Sequence, residues 1–159
     1  MIRSLSLILV AALALGAPPA LAGKAETAFM GKLVGTYAGK GTLTGSRTGT
    51  FDCTLTMKAK GDGISYRGKC DVEEFGSQSF SGDITYNDKA GRYEATSPTG
   101  TTTVGSKSGS SISFTTKFRG MASGTSVMKM VAGKITVDTT IKDPEAKGGT
   151  IKSHIVMSK

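Results

Sequence analysis

Phe51-Asp52-Cys53-Thr54-Leu55-Thr56-Met57-Lys58-Ala59-Lys60-Gly61-Asp62-Gly63-Ile64-Ser65-Tyr66-Arg67-Gly68-Lys69-Cys70-Asp71-Val72 is the stretch from which the fold is read. Gly61-Asp62 is a two-residue turn signal, because both residue types tolerate positive φ. Pairing outward from Lys60 and Gly63 sets Cys53 opposite Cys70. Pair types alternate along an antiparallel hairpin. This pair falls on a non-hydrogen-bonded position, where Cα atoms stand only ~4.5 Å apart and a disulfide can close. The same count sorts the faces. Phe51, Cys53, Leu55, Met57 and Ala59 share one face with Ile64, Tyr66, Cys70 and Val72. Asp52, Thr54, Thr56, Lys58 and Lys60 share the other with Ser65, Arg67, Lys69 and Asp71. One face is core and the other is wet.

Upstream, residues 1–22 read as a secretory signal peptide. Arg3 supplies the positive start, 5–15 is mostly apolar, and Ala20-Leu21-Ala22 is a cleavage site of the A-x-A kind, with cleavage after Ala22. The expected address is the periplasm or the medium (secreted). Residues 23–159 then form a single domain with a modest core. Two cysteines in an exported chain favour a Cys53–Cys70 disulfide over a metal site, since two thiols and one distant histidine make no zinc pattern.

Short alternating segments continue along the chain, with Gly, Ser and Thr abundant. A helix is expected only at 24–32, where Ala25, Ala28, Phe29 and Lys32 recur at helical spacing. Packed on the sheet, it would plug one end of a barrel. Strands are expected at 33–44, in the two arms of the hairpin, and at 78–87, 92–97, 101–106, 110–119, 125–132, 134–142 and 150–158. Strand 101–106 is short and polar and reads as an edge. Strand 125–132 is ambiguous, because Val127 and Val131 compete with Met128, Met130 and Ala132 for the core side. The fold class is all-β: an antiparallel up-and-down barrel of about ten strands with a short N-terminal helix. A membrane-spanning barrel is disfavoured. Lys58, Lys60, Arg67 and Lys69 would face lipid, at up to ~2–4 kcal/mol each.

Gly35-Thr36-Tyr37-Ala38-Gly39-Lys40-Gly41 resembles the Gly-x-Trp strand that opens calycin barrels (lipocalins and their relatives), with Tyr in place of Trp. It is also similar to the Gly-Thr-Trp-x-Gly-x-Gly opening of nitrobindins, which are ten-stranded haem-binding barrels. The resemblance implies a calycin-like barrel. From the nitrobindin side it implies a haem ligand near the C-terminus, where His154 is the one histidine. Strand parity, however, groups His154 with Lys152 and Ser158 on the outside.

No catalytic set emerges, and the chain is read as non-enzymatic. Ser126 and Lys129 match Ser-x-x-Lys, but on a strand they point to opposite faces. Asp71, Glu73 and Glu74 cluster at a strand end and read as solvated carboxylates. Met57, Met128, Met130 and Met157 suit a soft cavity or irregular core space. The expected function is binding of a small apolar molecule in the barrel interior, lined by Tyr37, Phe51, Leu55, Tyr66, Tyr86, Phe114, Phe118 and Met157. No resident cofactor or metal is expected, unless haem is held through His154.

The formal charge of +8 supports a second reading. Here an interaction or inhibitor protein of the cell envelope meets an anionic envelope component through its surface. With no two basic residues adjacent and aromatics at 6%, specific nucleic-acid binding is not expected. The chain is expected to be a monomer.

Overall fold

The structure, a computed structural model, describes residues 20–73, 76–118, 123–143, 145–146 and 148–159. One helix, α1 (Ala20–Leu33), precedes ten strands. These are β1 (Gly35–Gly45), β2 (Gly49–Lys60), β3 (Gly63–Val72), β4 (Gly76–Asn87), β5 (Arg92–Thr96), β6 (Thr102–Ser108), β7 (Ser111–Phe118), β8 (Gly124–Val131), β9 (Lys134–Lys142) and β10 (Thr150–Ser158). Each strand pairs antiparallel with its neighbours in sequence, and β1 pairs with β10 to close the barrel. The 101–106 segment is therefore no edge. β6 is bonded to β5 and β7, and closure leaves none of the described strands unpaired.

The hairpin register follows the sequence count from Lys60↔Gly63 out to Phe51↔Val72. Cys53 and Cys70 are disulfide-bonded, with Cα atoms 4.1 Å apart, as a narrow pair requires. Only Gly61 of the turn takes positive φ, at 55°. That is the pattern in which glycine holds the first central position. Ala59, assigned to the core face, is exposed, because it lies at the barrel rim next to the turn.

Strand β8 resolves its ambiguity without a bulge. Met130 pairs with Ile112 and Ile135, and Met128 with Phe114 and Val137, so both methionines point inward. Helix α1 begins earlier than its periodic core suggested and lies across the end that holds the 61–62, 88–91, 109–110 and 132–133 turns. Phe29, Met30 and Leu33 are buried there. Phe29 meets the edge of Tyr93 at 6.4 Å, and Tyr93 meets Tyr86 at 5.1 Å. Tyr93 donates its hydroxyl hydrogen bond to Glu26, which also holds Lys107 at 2.7 Å. Lys159 donates to the Lys32 carbonyl at 3.0 Å. These contacts make α1 the plug expected from its position in the chain.

Glycine shapes the wall at two kinds of place. At the closing seam, the β1–β10 register runs through Ala38↔Ser158 and resumes at Gly41↔Ile155. Between them the backbone of Val156 presses on Gly39. A Cβ there would stand 2.2 Å from the Val156 carbonyl oxygen. Elsewhere aromatic rings lie across glycines that are their direct cross-strand partners: Phe51 over Gly41, Phe80 over Gly68, Tyr66 over Gly82 and Phe114 over Gly105. The missing side chain makes room for the neighbouring ring.

Among the described residues, no helix is long and apolar enough to cross a membrane.

Candidate functional site

The interior divides into two halves. In the half next to α1, side chains fill the space. Tyr37, Leu55, Met57, Ile64, Ile84, Ile112, Met130, Ile135 and Met157 are all at most 2% exposed. Tyr37 donates to the Leu33 carbonyl at 2.7 Å, tying barrel floor to plug, and burial raises its pKa. Of the residues expected to line a ligand site, Tyr37, Leu55 and Met157 belong to this packed floor. Phe51 and Phe114 are buried over their glycines, and Tyr66 and Tyr86 face inward half-buried. The Phe118 side chain lies outside the described residues. The eight are thus not one lining: most are core.

In the half away from α1, the inward positions change character. Ser153, Thr139, Ser126 and Thr116 are consecutive cross-strand partners on β10, β9, β8 and β7. Thr103 of β6 extends the row through a 3.4 Å hydroxyl contact to Thr116, and Ser126 contacts Thr139 at 3.0 Å. Each lies two residues along its strand from an inward residue such as Ile155, Val137, Met128 or Phe114, so each faces the interior. All five are half-buried, whereas the floor is closed. Leu43, the cross-strand partner of Ser153, continues the ring onto β1, and Val72 of β3 and Phe80 of β4 lie on the other side; all three are half-buried and packed on the core. One wall offers hydroxyls and the other offers hydrocarbon. The sequence reading passed over this row, because Ser and Thr at inward positions resemble any solvated strand face. The signal was their parity with the buried residues.

At the rim of this end, Asp143 ties the β9–β10 connection to the β1–β2 turn. Asp143 is buried and accepts from the Ser46 hydroxyl at 2.8 Å and from the Glu145 and Ala146 amides at 3.0 and 3.3 Å. Arg47 reaches both Asp143 and Glu145. Ser46 first, then the loop amides and Arg47, lower the Asp143 pKa from 3.8 to about 2. A depressed carboxylate stabilises the fold above its unfolded pKa, and that contribution is lost as pH falls through the folded value. Wild type should therefore melt above Asp143→Asn by a constant margin above about pH 4.5, and the margin should shrink between about pH 4 and pH 2. Melting curves of the two proteins across that range check it. A margin that stays level to pH 2 would show that the Asp143 charge does not hold the loop.

His154 is on the outer face, 57% exposed, with Nδ1 2.6 Å from Asp138. The β9–β10 register is unbroken from Thr150 to Ser158, so no bulge turns the ring inward. The chain's one histidine therefore does not fit a haem held inside the barrel. Among the described residues no group of three His, Cys, Asp or Glu is placed to hold a metal. Of the acidic cluster, Asp71 is engaged by Ser77 and Lys69, and these partners lower its pKa in that order. Glu74 lies outside the described residues. Ser126 faces in and Lys129 faces out, so they share no site.

A closed meander of ten antiparallel strands, plugged at one end by a helix, defines the fold as a calycin-like barrel. Two solved structures show the same fold. Rv2717c from M. tuberculosis superposes with a TM-score of 0.55 at 12% identity, covering 87% of this chain and 96% of that one. The S-type phycobiliprotein lyase CPES from Guillardia theta superposes with a TM-score of 0.56 at 13% identity, covering 89% and 96%. No protein-family model and no curated protein sequence matches the chain.

Proposed function

We propose that this chain is a non-catalytic, exported binding protein that takes a small, mainly apolar molecule into the half of its barrel away from α1. The observation that carries the reading is the half-buried hydroxyl row of Thr103, Thr116, Ser126, Thr139 and Ser153, whose ring is completed by half-buried Leu43, Val72 and Phe80. Calycin-like barrels are closed on the outside and open at one mouth, which suits capture of a small ligand. An apolar body would lie against the hydrocarbon wall, and a polar end would bond the hydroxyls. The packed floor restricts the ligand to the upper half. Haem is not part of this reading, because His154 points away.

A neutral apolar dye, N-phenyl-1-naphthylamine, tests the site. Ser153 makes no side-chain hydrogen bond among the described residues, so a bulky residue there removes space without removing a partner. Dye affinity should fall about tenfold or more in Ser153→Phe, a steric loss of the size a filled pocket gives. If the wild type binds no dye and no small molecule co-purifies in native mass spectra, the interior-ligand reading is lost. Equal dye binding by Ser153→Phe would move the dye site elsewhere.

Export is part of the same proposal. Helix α1 runs across the predicted cleavage point after Ala22, and the contacts to the barrel from Glu26, Thr27, Phe29, Met30, Lys32 and Leu33 all lie beyond it. Removal of 1–22 would keep them all. The disulfide is compatible with an oxidising compartment. N-terminal sequencing of protein from the periplasmic or secreted fraction should begin at Gly23.

A further inference from the structure

Residues of β2, β3 and β4 together with the 96–99 turn border an open groove of about 1360 Å³ on the outside of the barrel. Most of its lining comes from outward positions in three cross-strand rows, and Tyr66, Gly68, Phe80 and Gly82 border it between them. Thr54, Lys69 and Ser79 form one row, and Thr56, Arg67 and Ser81 the next. Lys58, Ser65 and Asp83 form the third.

The charges in the groove are not all spent within the protein. Asp83 is neutralised by Lys60 at 2.7 Å, and Lys69 leans on Asp71 at 2.9 Å. Lys58 and Arg67 are exposed and make no ion pair or side-chain hydrogen bond among the described residues. The Thr54, Ser65, Ser79 and Ser81 hydroxyls are likewise unpartnered. Along a strand, positions two apart are spaced by ~7 Å, so Lys69, Arg67 and Lys58 put cations at successive steps down the groove. Cations interleaved with free hydroxyls in a concavity of this size match a linear chain that alternates anionic groups with hydroxyls.

We infer that this groove binds an acidic polysaccharide, at a site separate from the barrel interior. Guanidinium and ammonium groups would meet the carboxylate or sulfate groups, and the serine and threonine hydroxyls would bond the sugar hydroxyls. A single-stranded nucleic acid suits the groove less well. Its two aromatic residues, Tyr66 and Phe80, pack their rings over Gly82 and Gly68 and against the core, which leaves them poorly placed to stack on bases.

Fluorescence anisotropy of the full chain with labelled polygalacturonate oligomers tests the inference, with neutral dextran as the uncharged control. Binding should appear with polygalacturonate, weaken on moving from about 50 to 300 mM salt, and be absent with dextran. Lys58→Glu with Arg67→Glu should weaken it about tenfold or more. Lys129→Glu with Lys152→Glu imposes the same change of net charge on exposed lysines elsewhere on the barrel, and should weaken it about threefold or less. Ser79→Ala with Ser81→Ala should lower affinity about threefold, a loss that a diffuse charge field would not show. Equal losses in the two charge-reversed pairs would overturn the site in favour of net charge alone. No binding to polygalacturonate would overturn it outright. Tighter binding of a thymidine 20-mer than of polygalacturonate would assign the groove to nucleic acid instead.

Discussion

Replacing both Cys53 and Cys70 by alanine is expected to lower the stability of the fold by about 3 kcal/mol, the chain-entropy value for a loop of this length. The bridge closes a loop with a sequence separation of 17 at a non-hydrogen-bonded pair of the β2–β3 hairpin. Its loss frees the unfolded chain and also loosens the register that keeps Leu55 and Met57 inside. Each single variant should lose about as much as the double, because all three remove one crosslink. Alanine is preferred to serine, since Cys53 is 3% exposed and a hydroxyl there would add a separate burial cost. Denaturant titrations of oxidised wild type, reduced wild type and the three variants make the comparison. A double variant that loses twice what either single loses would show that the two side chains act independently.

Gly39→Ala is expected to cost about 3 kcal/mol or more, at the upper end of what overpacking does. The added methyl would meet the Val156 carbonyl oxygen at 2.2 Å, and the next nearest atoms are also backbone. A side chain can swing away, but a carbonyl on the closing strand can move only if the β1–β10 seam opens. The same substitution at Gly31 should have the opposite sign. Gly31 is exposed on α1 with nothing within 4 Å of the new Cβ. Alanine there should stabilise by roughly 0.5–1 kcal/mol through helix propensity. Urea denaturation of the two variants tests the pair, and a Gly39→Ala protein as stable as wild type would mean that the seam is looser than the backbone contact implies.

The hairpin was legible because three independent signals agree there: a turn dipeptide, strict alternation over both arms, and two cysteines at matching distance from the turn. Closure of the barrel was legible only through strand count and alternation. No residue marks β1 and β10 as partners. Strand β6 was misread as an edge because Thr102, Thr103, Ser106 and Ser108 lack the bulk of a buried strand. Its inward positions are instead Thr103 in the hydroxyl row, Gly105 under Phe114, and Lys107 over the Phe29 ring at 5.2 Å. None of these resembles core in isolation, because each depends on a partner from another strand. Parity, applied to His154, placed it outside, where it is found. The expected ligand lining was the hardest to read. Aromatics that fill the space over a glycine and aromatics that line a cavity look the same until the opposite strand is known. The outer groove was invisible for a related reason: it brings together residues of three strands and the 96–99 turn, and no motif marks them.

Nine of the ten strand pairings join neighbours in sequence, and β1 with β10 is the single exception. Folding can therefore proceed by hairpins that each close a short loop, leaving one long-range step in which Gly45 finds Ile151 across most of the domain. That step gains little from the order in which the rest forms. In a ring of this kind, the gap between the last strand and the first is topologically equivalent to any of the hairpin turns. The exposed 97–100 turn could serve as the point where the chain is cut, with the original ends spliced beside α1, and the circularly permuted chain would trace the same barrel from a different start.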